Sequence, residues 1–331
     1  MNLKIFPWQR QQWQYLVGTY QNGRLPHGLL LTGPSGTGME DFTDAFAVWL
    51  LCNNQGEQGA CGECPPCKQA LSGNHPDLHL VEPEEPGKQI KVDPVRALIE
   101  FTQFTSQYKG NKVAIIRPAH AMNRNAANAL LKTLEEPADN VILLLVSDSP
   151  SKLPVTIRSR CQRTQFSSVD RESGLEWLSD ITQADSGHLE SLWELAQGKP
   201  LHARDMVEND VAGHQIQVVA DLRDLLAHRT DFMQITQKWT EYGASDVFNW
   251  LIYLMVTMTR TKLIVGSEKG KSPNNRDLQE IVNQLNLQQL MNCYDLARRH
   301  YQAATGLYNL NQTGLIEDFL LFWQGQTTTG G

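Results

Sequence analysis

The sequence predicts an α/β domain followed by helical segments, and three observations carry that expectation. Short continuous apolar runs alternate with helical stripes up to about residue 167, the pattern of a parallel sheet covered on both faces. The first of these runs, Leu29 to Leu31, feeds a glycine-rich loop and then a helical pattern. Beyond about Ser168 the strand signals stop and helical periodicity dominates to the end.

Composition narrows the function classes. With 331 residues the chain is long enough for two or three domains with full cores. Asp and Glu outnumber Lys and Arg by 36 to 29, for a net charge of -7, whereas neutralising many phosphates calls for a basic balance. Strong DNA binding by this chain alone is therefore not expected. The N-terminus lacks a basic stretch followed by an apolar one, and the longest apolar run, Trp250 to Met258, is too short for a bilayer. These features predict a cytoplasmic protein without a membrane partner.

Taken in order, Met1 to His27 carries Trp8, Trp13, Leu16 and Val17 at helical spacing and predicts one helix packed on the first strand, ended by Gly23. Gly33-Pro34-Ser35-Gly36-Thr37-Gly38 then has the frame of a phosphate loop, in which glycines let backbone N–H groups converge on phosphate oxygens. A Lys after the last glycine would reach the β- and γ-phosphates, and a Ser or Thr would hold Mg²⁺. Met39 and Glu40 occupy those positions. A thioether carries no charge and a carboxylate repels a triphosphate, so the frame survives without its nucleotide-handling groups. A glycine-rich turn between any strand and helix is the bland alternative.

Phe42, Ala45, Phe46, Trp49 and Leu50 form the core stripe of the next helix, which runs into Cys52. Cys52, Cys61, Cys64 and Cys67 are four of the six cysteines, with two residues between successive members of the last three. Four thiolates complete a tetrahedral Zn²⁺ shell with no open position, so the site is expected to be structural. A disulfide pair or ordinary buried cysteines are the alternatives, the former disfavoured in a reducing compartment. His75 is a nearby fifth candidate, better suited to a turn.

A strand is expected at Asp77 to Val81, then an acidic loop from Glu82 to Lys88. Asp93 as N-cap with Pro94 next predicts a helix carrying Val95, Leu98, Ile99 and Thr102 inward. Lys109 to Asn111 is a turn and Val113 to Ile116 a buried strand, followed by Arg117-Pro118. Asn123 to Glu136 predicts a helix stopped by Pro137, and Val141 to Val146 another strand. Arg158 and Arg160 fall on a short turn before a strand around Gln165 and Phe166. Gly187 to Arg204 predicts a small helical unit broken at Gly198-Lys199-Pro200, and longer helices from about Asn209 bury stripes such as Val218, Leu222, Leu225, Leu226 and Trp250, Leu251, Leu254, Met255. The tail from Gln324 is polar and expected to fray.

These residues resemble the delta-prime subunits of bacterial DNA polymerase III clamp loaders, within the AAA+ superfamily. The likeness rests on Leu25-Pro26-His27 with the phosphate loop, the four cysteines, His75-Pro76-Asp77, Ile90 to Arg96, Asn128 to Pro137 and Ile157-Arg158-Ser159-Arg160-Cys161. It is dense from Leu25 to Cys161; beyond that only helical character and Asn311 to Leu321 agree. The resemblance implies an α/β domain with a zinc module over residues 1–167, a helical lid over 168–207 and a helical collar over 208–331 that joins a ring of five subunits. It also implies gamma/tau motor subunits and a delta subunit as partners, with the β sliding clamp and primed DNA served indirectly. Motor subunits of the same assembly carry Lys, Ser or Thr, Asp and Glu where this chain has Met39, Glu40, Arg117 and Pro118, and a phosphate-sensing Arg near Leu201. The resemblance therefore implies a subunit that binds no ATP, with Arg160 as an arginine finger for the neighbouring motor and Arg158 as a second candidate. A salt bridge from Arg160 to Glu135 or Glu136 is the competing structural role. Two rival readings are an active ATPase with an atypical site and a zinc-dependent DNA-binding module; Arg and Pro cannot ligate Mg²⁺, and the knuckle lacks a basic run.

Overall fold

In the computed structural model, residues 1–85, 87–108, 110–182, 186–208, 211–263, 275–305 and 311–327 are described. Packing divides the chain into two compact units, one of Met1–Trp177 with Gly198–His202, the other of Leu178–Gln197 with Ala203–Gly331.

The first unit opens with a 3-10 turn, Pro7–Gln9, and helix α1, Arg10–Gln21. In chain order follow β1 (Gly28–Thr32), α2 (Met39–Leu51), α3 (Pro65–Leu71), β2 (Leu78–Val81), α4 (Val92–Gln103), β3 (Lys112–Ile116), α5 (Arg124–Glu135), β4 (Val141–Ser147), α6 (Val155–Arg158) and β5 (Gln162–Gln165). Among the described residues the sheet has the order β2-β3-β4-β1-β5, and every pairing is parallel. The three inner strands are buried at every position, which is why they read as unbroken apolar runs. The edge strand β5 exposes Gln162, Arg163 and Gln165, which explains why its sequence signal was faint.

Strand side chains alternate between faces. Leu29 and Leu31 join Trp13, Leu16, Phe42, Phe46 and Trp49 of α1 and α2 in one core layer, as the predicted stripes require. Leu30, Leu143 and Leu145 face the other way, against Val95 and Leu98 of α4 and Leu130 and Leu134 of α5. Helix α5 begins as expected, with the Asn123 side chain accepting the Ala126 N–H at 2.8 Å. Helix α4 differs from the prediction. Its N-cap is Lys91 without a side-chain cap, and Asp93 lies inside the first turn, 3.5 Å from Arg96. A carboxylate there still complements the positive end of the helix, and Pro94 is tolerated because first-turn N–H groups lack intrahelical partners. The expected strand near Phe166 ends one residue earlier, and the turn bearing the arginines contains the short helix α6. Lys109 and Pro86, within the predicted turn and acidic loop, lie outside the described residues.

Helix α7 (Arg171–Ile181) and helix α9 (Pro200–Glu208) are each divided between the two units, while α8 (Ser186–Leu195), α10 (Val211–Leu226), α11 (Phe232–Tyr242), α12 (Ala244–Leu263), α13 (Asn275–Gln284), α14 (Leu287–Ala304) and α15 (Gln312–Gln324) belong to the second. The predicted stripes of α10 and α12 are buried together around Trp239, Phe248, Phe319 and Trp323. Asp231, Asn286 and Asn311 cap α11, α14 and α15 through their side chains. Of the polar tail, Gly325–Thr327 forms a 3-10 turn and residues 328–331 lie outside the described residues.

Candidate functional site

The phosphate loop of a nucleotide-binding domain leaves backbone N–H groups waiting for a ligand. Here protein groups hold the loop from several sides. The Gln9 side-chain amide donates to the carbonyls of Thr37 (3.0 Å) and Gly38 (2.7 Å), and Trp8 Nε1 donates to Thr37 (2.9 Å). Gly38 has φ +77°, and a Cβ there would collide with the Phe6 ring, so only glycine fits. The Leu201 N–H donates to the Gly36 carbonyl at 3.1 Å, and Thr37 Oγ1 donates to Pro34 within the loop. Met39, in place of the phosphate-reaching Lys, turns into the apolar layer with Phe42 and is 6% exposed. A cavity of about 270 Å³ remains, lined among others by Ser35, Gly36, Glu40, Asp41, Pro118 and Asp148.

Arg117 directly follows β3 and reaches two carboxylates. Its Nε donates to Glu82 Oε1 at 2.6 Å and its Nη1 to Asp44 Oδ1 at 2.7 Å. The guanidinium side chain is 12% exposed and that of Asp44 7%, so both charges are withdrawn from water and need one another. Burial pushes Asp44 above the usual carboxylate range, with Arg117 opposing that push. Glu40 is raised mainly by burial too, Arg117 again opposing and Glu82, Asp41 and Asp44 adding repulsion. Asp44 and Glu82 were not singled out from sequence. The signal for Asp44 was a carboxylate among the inward positions of α2, since a buried acid implies a nearby base.

The four cysteines converge. Cys52 caps the end of α2, Cys64 caps the start of α3, and Cys67 is buried within α3. All four Sγ atoms lie within 4.8 Å of one another, with separations of 3.5, 3.9 and 4.0 Å for the pairs Cys52–Cys61, Cys52–Cys64 and Cys61–Cys67. Sulfurs bound tetrahedrally at about 2.3 Å stand roughly 3.8 Å apart, so the cluster has the dimensions of a Zn(Cys)₄ site. Backbone N–H groups of Asn54 and Cys61 point at Cys52 Sγ, and that of Cys64 at Cys61 Sγ, the support a thiolate shell needs. The N–H of Cys64, then that of Glu63, lower the Cys61 thiol to about 6. His75 stands outside this group of sulfurs.

Arg160 donates from Nε to Glu135 Oε1 at 2.7 Å and from Nη1 to the Thr156 carbonyl at 3.0 Å. Its side chain is 35% exposed, and Arg158 beside it is exposed. The intrachain ion pair weighed from sequence is thus formed in the isolated chain.

The parallel sheet order and the glycine-rich loop between β1 and α2 define an α/β domain with the frame of a phosphate loop. Residues 8–170 match the family described as "DNA polymerase III, delta subunit". DNA polymerase III subunit delta' of Pseudomonas aeruginosa is 35% identical over 321 residues, covering 96% of this chain and 97% of that protein. The same subunit of Yersinia pestis is 30% identical over 98% and 97%. A gamma subunit-related protein of Thermotoga maritima aligns at TM-score 0.47 and 15% identity, over 96% of this chain and 99% of the other. The chain belongs to the DNA polymerase III delta' family of clamp-loader subunits. Among the described residues, no helix is long and apolar enough to cross a membrane.

Replacing Arg117 with Ala leaves Asp44 buried without its cation, a loss expected to cost about 3–5 kcal/mol at neutral pH. The sign of its pH dependence follows from Asp44, whose folded-state affinity for a proton is already raised and rises further without Arg117. Protonation relieves the unpaired charge, so the deficit relative to the parent shrinks as pH falls through that raised value. Urea titrations of both proteins across pH check this; a deficit independent of pH would contradict it.

Proposed function

We propose that this chain is a non-hydrolysing clamp-loader subunit that assists loading of the β sliding clamp onto primed DNA and supplies Arg160 to an adjacent motor subunit. The carrying observation is Arg117, whose buried pairing with Asp44 and further bond to the half-exposed Glu82 would put the chain's own cation in the place of the metal. Met39 is buried and Glu40 stands at the loop, so neither position offers the charge stabilisation that phosphoryl transfer needs. On this reading residues 168–207 serve as lid and 208–331 as collar, the partners are gamma/tau and delta, and the setting is the cytoplasm. The atypical-ATPase alternative requires Mg²⁺ to displace a guanidinium from two carboxylates. Calorimetry on the isolated chain is expected to give no saturable heat with Mg-ATP; micromolar binding with turnover lost on changing the loop would favour the ATPase.

The finger is supported by the energetics of the Arg160 pair. An ion pair at this exposure contributes about 0–1 kcal/mol, so Glu135 orients the guanidinium at little cost to its release. A guanidinium supplied in trans to a γ-phosphoryl group accelerates hydrolysis by about 10³–10⁵, or roughly 4–7 kcal/mol. Arg160→Ala is therefore expected to leave the chain folded and assembled while slowing ATP hydrolysis and clamp loading by the reconstituted complex. Full activity at matched assembly would make Arg160 purely structural.

The cysteine cluster is proposed to hold one structural Zn²⁺, which would tie the end of α2 to the start of α3 through four thiolates and leave no ligand position for chemistry. Because the metal competes with protons for sulfur, acidification should release it. Metal analysis of chain purified without chelator is expected to find one zinc, and chelation to lower Tm; absence of zinc would refute the assignment.

A further inference from the structure

The pairing of Arg160 with Glu135 joins two segments 25 residues apart, and a third segment, at the start of β1, touches both. His27 immediately precedes β1. Its Nε2 stands 2.8 Å from the carbonyl oxygen of Leu134, the residue before Glu135. A carbonyl only accepts, so Nε2 carries a proton and donates it. The acceptor is one that α5 does not satisfy itself: the helix ends at Glu135, the Glu136 N–H turns back to Lys132, and Pro137 has no N–H to offer.

Gly28 supplies the other half of the joint. A Cβ there would stand 3.1 Å from Leu134 Cδ2, 3.5 Å from the Arg160 carbonyl oxygen and 3.6 Å from Cys161 Sγ. The end of α5 and the turn bearing Arg160 therefore close on one point of the backbone, at an approach that glycine permits. The mount itself is rigid. The His27 carbonyl accepts the Leu143 N–H of β4 at 2.6 Å, and Leu29, Leu30 and Leu143 beside it are buried. The Glu135 and Arg160 side chains are half-exposed, and an ion pair at that exposure does little by itself to fix a position. What fixes it is the backbone beneath.

We propose that His27 is a positioning residue for Arg160: its Nε2–H holds the end of α5, and with it Glu135, against the Arg160 turn that packs on Gly28. The consequence for hydrolysis rests on the reading of Arg160 as a finger in trans, where a misplacement near 1 Å costs about 10²-fold in rate. In the chain alone, the Arg160 Nε–H resonance, assigned by its loss in Arg160→Ala, reports the pair with Glu135. His27→Leu, which keeps bulk and removes the donor, is expected to shift that resonance and speed its exchange with water; His27→Gln, whose amide nitrogen can reach the same carbonyl, should restore it. In the reconstituted complex at matched assembly, His27→Leu should slow ATP hydrolysis by up to about 10²-fold and His27→Gln should recover most of the loss. Added to Arg160→Ala, His27→Leu should cost nothing further, because it acts only through the guanidinium. If His27→Leu does not fold, Gly28→Ala displaces the same joint from the strand side and carries the same expectations for resonance and rate. A resonance unmoved by the loss of the donor, or a full rate with His27→Leu where Arg160→Ala is slow, overturns the proposal and leaves the finger standing. A full rate with Arg160→Ala removes the finger instead, and the resonance then decides alone whether His27 positions the pair.

Discussion

The loop end of the sheet depends on the pairing of Arg117 with Asp44 and Glu82. A guanidinium stays charged at any accessible pH, so placing it at the buried end of β3 is tolerable only with carboxylates in contact. Those carboxylates come from α2 and from just beyond β2, and the three side chains fix the end of β3 against its neighbours. Such a triad adds little net stability, because desolvation consumes most of the attraction. Its effect is on specificity: the arrangement that satisfies Arg117 also concentrates negative charge beside the loop, with Glu40 and Asp41 adding to it. On the proposed reading a triphosphate would meet repulsion there.

The loop itself is completed from within the chain. Phosphate loops are held open by their glycines and stabilised by the anion they enclose. In this chain the carbonyls of Gly36, Thr37 and Gly38 accept from Leu201, Trp8 and Gln9, and the Phe6 ring occupies the space a side chain at position 38 would need. The segment preceding α1 thus anchors the carbonyl side of the loop, the opposite hydrogen-bonding sense to that of a phosphate, which accepts from loop N–H groups. Glycine remains necessary for close packing even when no phosphate is to be approached.

Much of this was legible in the sequence because it depends on local patterns. Continuous apolar runs identified β1, β3 and β4, and helical stripes identified which faces of α2 and α5 are buried. The cysteine spacing announced the cluster, since two-residue separations bring sulfurs together whatever the rest of the chain does. Illegible were contacts made across long sequence distances by residues of ordinary type. Gln9 lies 29 residues from Gly38 and Asp44 lies 73 from Arg117, and neither pair has a spacing rule. Strand β5 was blurred because an edge strand exposes polar side chains, and the start of α4 shifted because a carboxylate serves either as cap or as first-turn charge. The partition into two compact units, with Gly198–His202 joining the first, follows from packing and left no mark in composition.

A ligand changes a conformational equilibrium only by binding its states unequally. In a motor domain the loop and the metal position supply that inequality, because their unfilled N–H groups and carboxylates are completed only when nucleotide is present. Here Gln9, Trp8 and Leu201 hold the loop through its carbonyls and Arg117 pairs with the nearby carboxylates, so on the proposed reading loop and β3 end are fixed without nucleotide. What the chain retains at its surface is Arg160, oriented by Glu135 at one residue's remove from a buried cysteine. A guanidinium that serves another subunit's site need not move with a local nucleotide cycle, and its effectiveness rests on being presented in a constant geometry. On the proposed reading, the absence of an internal site and the presence of Ser159-Arg160 would be two consequences of one requirement: a fixed surface beside a moving one.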